Sequence, residues 1–235
     1  MNEILYPIGI QNFESLRKDG YLYVDKTALI HRLVRTGTYY FLSRPRRFGK
    51  SLLVSTLEAY FRGKRELFDG LAMEELEKEW TVYPVLHLDL NIGKYNTSGE
   101  LEAVLNKALL DWEAVYGAGE GETTLALRFD GIIRRAHQQT GQRVAVLVDE
   151  YDKPMLQAIG DEELQDAYRL TLKAFYGVLK SRDGDIKFAL LTGVTKFSKV
   201  SIFSDLNNLK DISMDKRFLN LCGITESELH AYFWP

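Results

Sequence analysis

Gly49-Lys50-Ser51 is the triplet of this chain whose residue types and order do chemistry most directly. Glycine lets backbone approach a phosphate, lysine supplies a charge for β- and γ-phosphates, and the serine hydroxyl can hold Mg2+. The triplet closes a basic run, Arg44-Pro-Arg-Arg-Phe-Gly-Lys-Ser51. Before it, Tyr39-Tyr-Phe-Leu42 reads as a buried strand. After it, Ser51-Leu-Leu-Val-Ser-Thr-Leu-Glu58 reads as a helix. At average residue usage, Gly-Lys followed by Ser or Thr arises by chance in roughly one chain in ten of this length, so the flanking strand and helix carry the assignment. Unpaired amides and the positive end of the helix dipole would face the phosphates. Arg46, Arg47, Phe48, Gly49, Lys50, Ser51 and Leu52 are therefore the candidate nucleotide-binding residues. Lys50 is expected to stand exposed in the empty loop. One position departs from the usual pattern: Arg44 stands where a glycine is normal. A basic strand-to-helix turn without a nucleotide has the same composition.

Two further strand ends complete the constellation. Val144-Ala-Val-Leu-Val148 is a continuous apolar run with β-branched residues, as in a strand covered on both faces. It ends in Asp149-Glu150, at the strand edge where α/β sheets place ligand chemistry. Asp149, with Ser51, is the candidate holder of Mg2+, and Glu150 is the candidate base that polarises an attacking water. A solvated acidic strand end is the plain alternative. Ile186-Lys-Phe-Ala-Leu-Leu-Thr192 is a third apolar run. Thr192 at its end would lie near the γ-phosphate, although a threonine ending a strand is ordinary. The expected catalytic set is Lys50, Glu150 and Thr192.

These residues carry a resemblance. Tyr23-Val-Asp-Lys-Thr27, the loop Arg44 to Ser51, Val148-Asp-Glu-Tyr-Asp-Lys-Pro154 and the segment Leu191 to Leu209 are similar to the AAA-ATPase-like family, over about Ile8 to Tyr232. The segment after Thr192 is the most specific part. The resemblance implies an α/β P-loop NTPase fold, with a central parallel sheet flanked by helices of the AAA/ASCE type. It implies ATP and Mg2+ as ligands, Asp149 as the Walker B acid and Thr192 at the sensor position. It implies that Arg-Pro-Arg-Arg is the family's own form of the Walker A loop. Val24, Asp25 and Lys26 would lie over the adenine, a plain helix cap being the alternative. Residues 1–218 would form the ATPase-like domain. Residues 219–235 would begin a helical lid that is cut short, leaving the site more open. Full-length members resemble two-part proteins, in which a PD-(D/E)XK nuclease-like domain follows as a partner.

Composition bounds the remaining choices. The chain has 235 residues, 46% hydrophobic and 27% charged, enough for one large domain with a sizeable core. A net charge of −3 lacks the bulk basic signature of nucleic-acid binding and leaves that partner open. Arg44, Arg46, Arg47 and Lys50 are better explained by nucleotide phosphates. No apolar run is long enough to span a membrane, and the first residues lack the pattern of a signal peptide. The one cysteine, Cys222, excludes an internal disulfide and fits a reducing, cytoplasmic location. Its neighbours suggest a buried, inert thiol. The four histidines lack metal-ligand spacing. A homo-oligomer is open, with Arg47, Arg62 and Arg182 as arginine-finger candidates by type alone.

The elements that must position these groups read as follows. Tyr21 to Val24 is a short extended segment, and Asp25 caps a helix from Lys26 to Arg35 that Gly37 ends. Helices are expected over Glu74–Trp80, Glu100–Tyr116, Thr124–Thr140 and Asp161–Arg182, and a strand over Pro84–Leu90. Thr195 to Ser213 reads as loop with short helical pieces. Thr225 and Glu228 form a capping box for a last helix. Two functions follow: ATP hydrolysis to ADP and phosphate, or a nucleotide-gated binding module with little turnover. A third, less favoured reading is phosphate transfer to a small molecule, which needs a dedicated acceptor site and a lid of arginines that the sequence does not reveal.

Overall fold

The structure is a computed structural model that describes residues 5–196, 202, 203, 206 and 208–234. Residues 197–201, 204, 205 and 207 of the family-like segment, and Pro235, lie outside them. The described strands are β1 (Tyr39–Ser43), β2 (Val85–Asp89), β3 (Val144–Asp149), β4 (Ile186–Gly193) and β5 (Lys210–Asp211). They form one sheet in the order β2-β3-β4-β1-β5, parallel throughout. Parallel neighbours cannot be joined by hairpins, and the chain passes through helices between β1 and β2, between β2 and β3, and between β3 and β4. β4 is thereby inserted between β1 and β3. The ends of all three strands meet at one edge, with Leu42 opposite Thr192 and, on the far side of β3, Asp89 opposite Asp149.

The continuous apolar runs follow from burial on both faces. Val144, Val146 and Val148 join one core, while Ala145 and Leu147 join the other. β1 divides in the same way, Tyr39 and Phe41 to one side and Tyr40 and Leu42 to the other. The first core is completed by α5 (Glu100–Tyr116), α6 (Leu125–Thr140), the short α7 (Lys153–Gln157) and α8 (Glu162–Ser181). Leu101, Leu105 and Leu109 meet Phe129, Ile133 and Phe175 there. Phe129 and Phe175 stack with centroids 4.4 Å apart. The second core is completed by α1 (Phe13–Lys18), α2 (Thr27–Thr36) and α3 (Lys50–Phe61). Burying each large side chain contributes about 1.5–3 kcal/mol, so both layers stabilise the sheet.

Several helix starts follow the sequence closely. Thr124 accepts from the Leu127 amide at the start of α6, and Asp161 from the Leu164 amide at the start of α8. Asp25 accepts from both the amide and hydroxyl of Thr27, the first residue of α2. Other expectations are corrected. The helix expected over Glu74–Trp80 is α4, Ala72–Leu76. Glu77 ends it, because its carboxylate accepts from the Lys78 and Glu79 amides and competes with the helical pattern. Tyr21–Val24 makes only an isolated bridge, Tyr21 to Leu5. α1 and β5 were not anticipated. β5 is two residues long and pairs with β1 from inside a polar segment.

Candidate functional site

Ser43 ends β1, and the Arg44 amide still donates to the Gly193 carbonyl of β4 at 3.1 Å. The loop then turns back through Gly49, whose φ of 90° lies in the left-handed region that suits glycine. Lys50 opens α3 directly behind it. Arg46 and Phe48 are exposed, and so is Arg47, at φ 63°. Among the described residues Arg46 has no hydrogen-bond or ion-pair partner. Arg44 does not face the loop's concave side. It is buried, and its guanidinium donates to the carbonyls of Ser43, Ser213 and Leu219. A guanidinium has no acceptor and five donors, so a buried one must collect carbonyls or anions. The expectation that Arg44 meets phosphate is therefore corrected: it straps the loop to the chain after β5.

The acidic pair lies across from the loop. Asp149 is almost fully buried and accepts from both flanking elements. The Ser51 hydroxyl donates to Oδ2 at 2.5 Å, and the Thr192 hydroxyl to Oδ1 at 2.5 Å. The Glu150 amide adds a third donor at 3.1 Å. The structure thus brings Ser51, Asp149 and Thr192 together on one carboxylate. Glu150 has a φ of 55°, a strained conformation for a residue with a Cβ. Its Oε1 lies 3.0 Å from Lys50 Nζ.

Lys50 is corrected from exposed to buried, at 4% exposure. A desolvated ammonium must satisfy its donors locally. Lys50 does so with Glu150 and with the Arg44 and Pro45 carbonyls at 3.1 and 3.3 Å. Burial raises the Glu150 carboxyl above the ordinary range, and the Lys50 ammonium offsets this only in part. The donor set fits Mg2+, because Ser51 and Asp149 present oxygens, which hard cations prefer. Among the described residues no cluster of three His, Cys, Asp or Glu could hold a metal. Phosphate and water would have to supply the remaining ligands.

Beside the loop lies a mostly apolar pocket of about 290 Å³. Arg47, Phe48, Gly49 and Leu52 line it, facing Val24 and Lys26. Cys222 also lines it, and burial pushes its thiol up to about 11. Lys26 pairs with Glu228 of the last helix, Glu226–Phe233, whose capping box is present. Tyr6 stacks on Phe233 at 5.5 Å, and the Asp25 amide meets the Tyr232 hydroxyl at 3.4 Å. This helix is thus pinned to the first segment of the chain, and its Phe233 lines one side of the pocket. Sequence reasoning found the capping box but not the second role of Glu228, because its partner is 202 residues away. Asp152 was also missed, although it stands in the quoted Asp-Glu-Tyr-Asp motif.

Comparisons with known proteins place the chain in a family. The chain is 45% identical over 231 residues to an "Uncharacterized protein in vnfD 5'region" of Azotobacter chroococcum mcd 1. The match covers 97% of this chain and 45% of that protein, so the chain spans under half of its relative's length. No solved structure matches. Among the described residues no helix is long and apolar enough to cross a membrane. The family described as "Predicted AAA-ATPase" matches residues 7–203, and the chain belongs to it.

Proposed function

From that membership we propose that the chain binds ATP at the Gly-Lys-Ser loop and hydrolyses it, with Mg2+, to ADP and phosphate. The observation that carries the proposal is the convergence of Ser51 and Thr192 on Asp149, beside the Lys50–Glu150 pair. Phosphoryl transfer asks a protein for positioned charge rather than covalent chemistry, and this edge of the sheet concentrates it. The base would enter the apolar pocket, under Val24 and Lys26. Lys50 would leave Glu150 for the β- and γ-phosphates, with the loop amides behind it. Arg46, Arg47 and Phe48 would flank the phosphates, and Leu52 the base. Ser51 and Asp149 would hold Mg2+, which when bound offsets phosphate charge. Glu150, released, would accept a proton from water, and Thr192 would keep Asp149 oriented.

Residues 1–218 are proposed as the nucleotide-binding domain and 219–235 as the start of its lid. A nuclease-like domain beyond it, and self-association, are proposed only for a longer protein. A second reading is a nucleotide-gated module with little turnover. The lysine's existing partners favour it, because phosphates must first displace them. Calorimetric titration with ATP, with and without Mg2+, tests binding, and phosphate release tests turnover. Absence of binding would end both readings. Binding without phosphate release would leave only the second.

A further inference from the structure

Asp152 has no role in the chemistry proposed above, yet it is fully buried beside it. It stands at the N-cap position of the short helix Lys153–Gln157, where an aspartate ordinarily caps the helix amides. Its carboxylate makes no such bond. It reaches instead to the chain just past β4. Its oxygens accept from the Val194 amide at 3.2 Å, the Thr195 amide at 2.7 Å and the Thr195 hydroxyl at 2.8 Å. The preceding residue is fastened to the same segment. The Tyr151 amide donates to the Thr192 carbonyl at 2.8 Å, and its hydroxyl to the Thr195 carbonyl at 3.0 Å. This contact is close enough to require Gly193. A Cβ there would lie 2.5 Å from the Tyr151 ring and 2.6 Å from Asp152 Oδ1.

Glu150 is therefore bracketed. Asp149 before it is fixed by Ser51 and Thr192, and Tyr151 and Asp152 after it are fixed by residues 192–195. The backbone between them is left-handed at Glu150, with φ 55°. Such strain persists only where the surroundings over-determine it. We propose that Asp152 is a positioning residue: its clamp on Val194 and Thr195 imposes the left-handed turn at Glu150 and so aims the Glu150 carboxylate at Lys50 and the phosphate site. The clamp also ties that aim to β4, the strand carrying Thr192. The catalytic consequence rests on the ATPase reading; the conformational one does not.

Asp152→Asn keeps the size of the side chain but replaces an acceptor oxygen with a donor facing donors. Thr195→Val keeps the carboxylate and removes one of its donors. The first readout uses the nucleotide-free chain: the carbon-13 Cα and Cβ shifts of Glu150, which report the sign of φ. They are expected to leave the left-handed range in Asp152→Asn and to move part of the way in Thr195→Val. Unchanged shifts in both variants would overturn the proposal. The second readout is steady-state ATP hydrolysis. Turnover should fall by about tenfold to a hundredfold, with KM for ATP within about threefold of the parent. In a Glu150→Gln background Asp152→Asn should bring no further fall, because the residue acts through Glu150. An equal fall in both backgrounds would overturn the proposal. A parent without turnover counts against the ATPase reading, and the shifts alone then decide on Asp152. If Asp152→Asn does not fold, Thr195→Val carries both readouts.

Discussion

Lys50 Nζ and Glu150 Oε1 lie 3.0 Å apart, with side chains 3% and 17% exposed. The lysine that the proposed chemistry assigns to phosphate and the carboxylate that it assigns to water hold each other. Neither can do its work while the pair persists. Phosphate oxygens offer Lys50 a stronger set of acceptors, and their arrival would free Glu150. In the proposed ATPase, binding and activation of the base are then one event.

Glu150→Gln tests that coupling. The amide matches the carboxylate in size and can still orient water, but it cannot accept the proton. It also holds Lys50 less strongly. ATP affinity should therefore equal or exceed that of the parent, while phosphate release falls by roughly a hundredfold or more, the usual contribution of a general base. Calorimetry and a phosphate-release assay give the two numbers. Turnover at the parental rate would remove Glu150 from the mechanism.

Lys50→Ala should do two things, because the lysine is buried rather than exposed. ATP affinity should fall at least about a hundredfold, equivalent to about 2.7 kcal/mol of phosphate contact. Stability should also fall, by about 1–3 kcal/mol, because Glu150 loses its partner and the Arg44 and Pro45 carbonyls lose a donor. Urea unfolding measures the second effect without nucleotide. A variant as stable as the parent would show that the pair contributes nothing in solution.

Thr192→Val removes a buried hydroxyl of nearly the same volume as the methyl that replaces it. Asp149 then keeps Ser51 and the Glu150 amide but loses its donor from β4. The expected loss is about 1–3 kcal/mol, seen as a lower urea midpoint with an unchanged slope. In the ATPase reading, turnover falls as well. An unchanged midpoint would mean that Asp149 is adequately solvated without Thr192.

The parts of this site legible in the sequence were those carried by local pattern. The runs before Asp149 and Thr192 are apolar, Lys187 near the start of β4 excepted, because their strands are buried on both faces, and they placed both residues on one edge. Gly49-Lys50-Ser51 lies where strand and helix signals meet. The parts not legible depend on distant atoms. Arg44 looks like a phosphate ligand until Ser213 and Leu219, far along the chain, supply its carbonyls. Lys50 looks exposed until Glu150 takes its charge. β5 is too short and too polar for any propensity to reveal it, and only its pairing with β1 defines it.

His87 on β2 and Glu58 on α3 give the fold a pH-dependent fastening behind the proposed site. His87 Nδ1 lies 2.9 Å from Glu58 Oε2, and Arg62 Nε donates to the other oxygen at 2.9 Å. Burial alone would lower the imidazole, but the Glu58 carboxylate outweighs it, with Asp89 and Asp149 adding to the rise. Burial alone would raise Glu58, but His87 and Arg62 hold it below its ordinary value. A base with a raised folded value adds stability fully below its unfolded value, near 6.5, and loses it as pH rises through the folded one. A carboxylate with a lowered folded value adds stability above its unfolded value, near 4.5, and loses it as pH falls. The pair therefore stabilises most between about 4.5 and 6.5. The unfolding free energy of the parent minus that of His87→Gln should be largest in this window, by about 0.5–1 kcal/mol, and should shrink as the imidazole deprotonates at higher pH. Taking the difference cancels groups common to both chains, including His31, which burial pushes the other way. Urea unfolding across the range measures it, and a difference that stays flat with pH would mean that His87 acts by packing and not by charge.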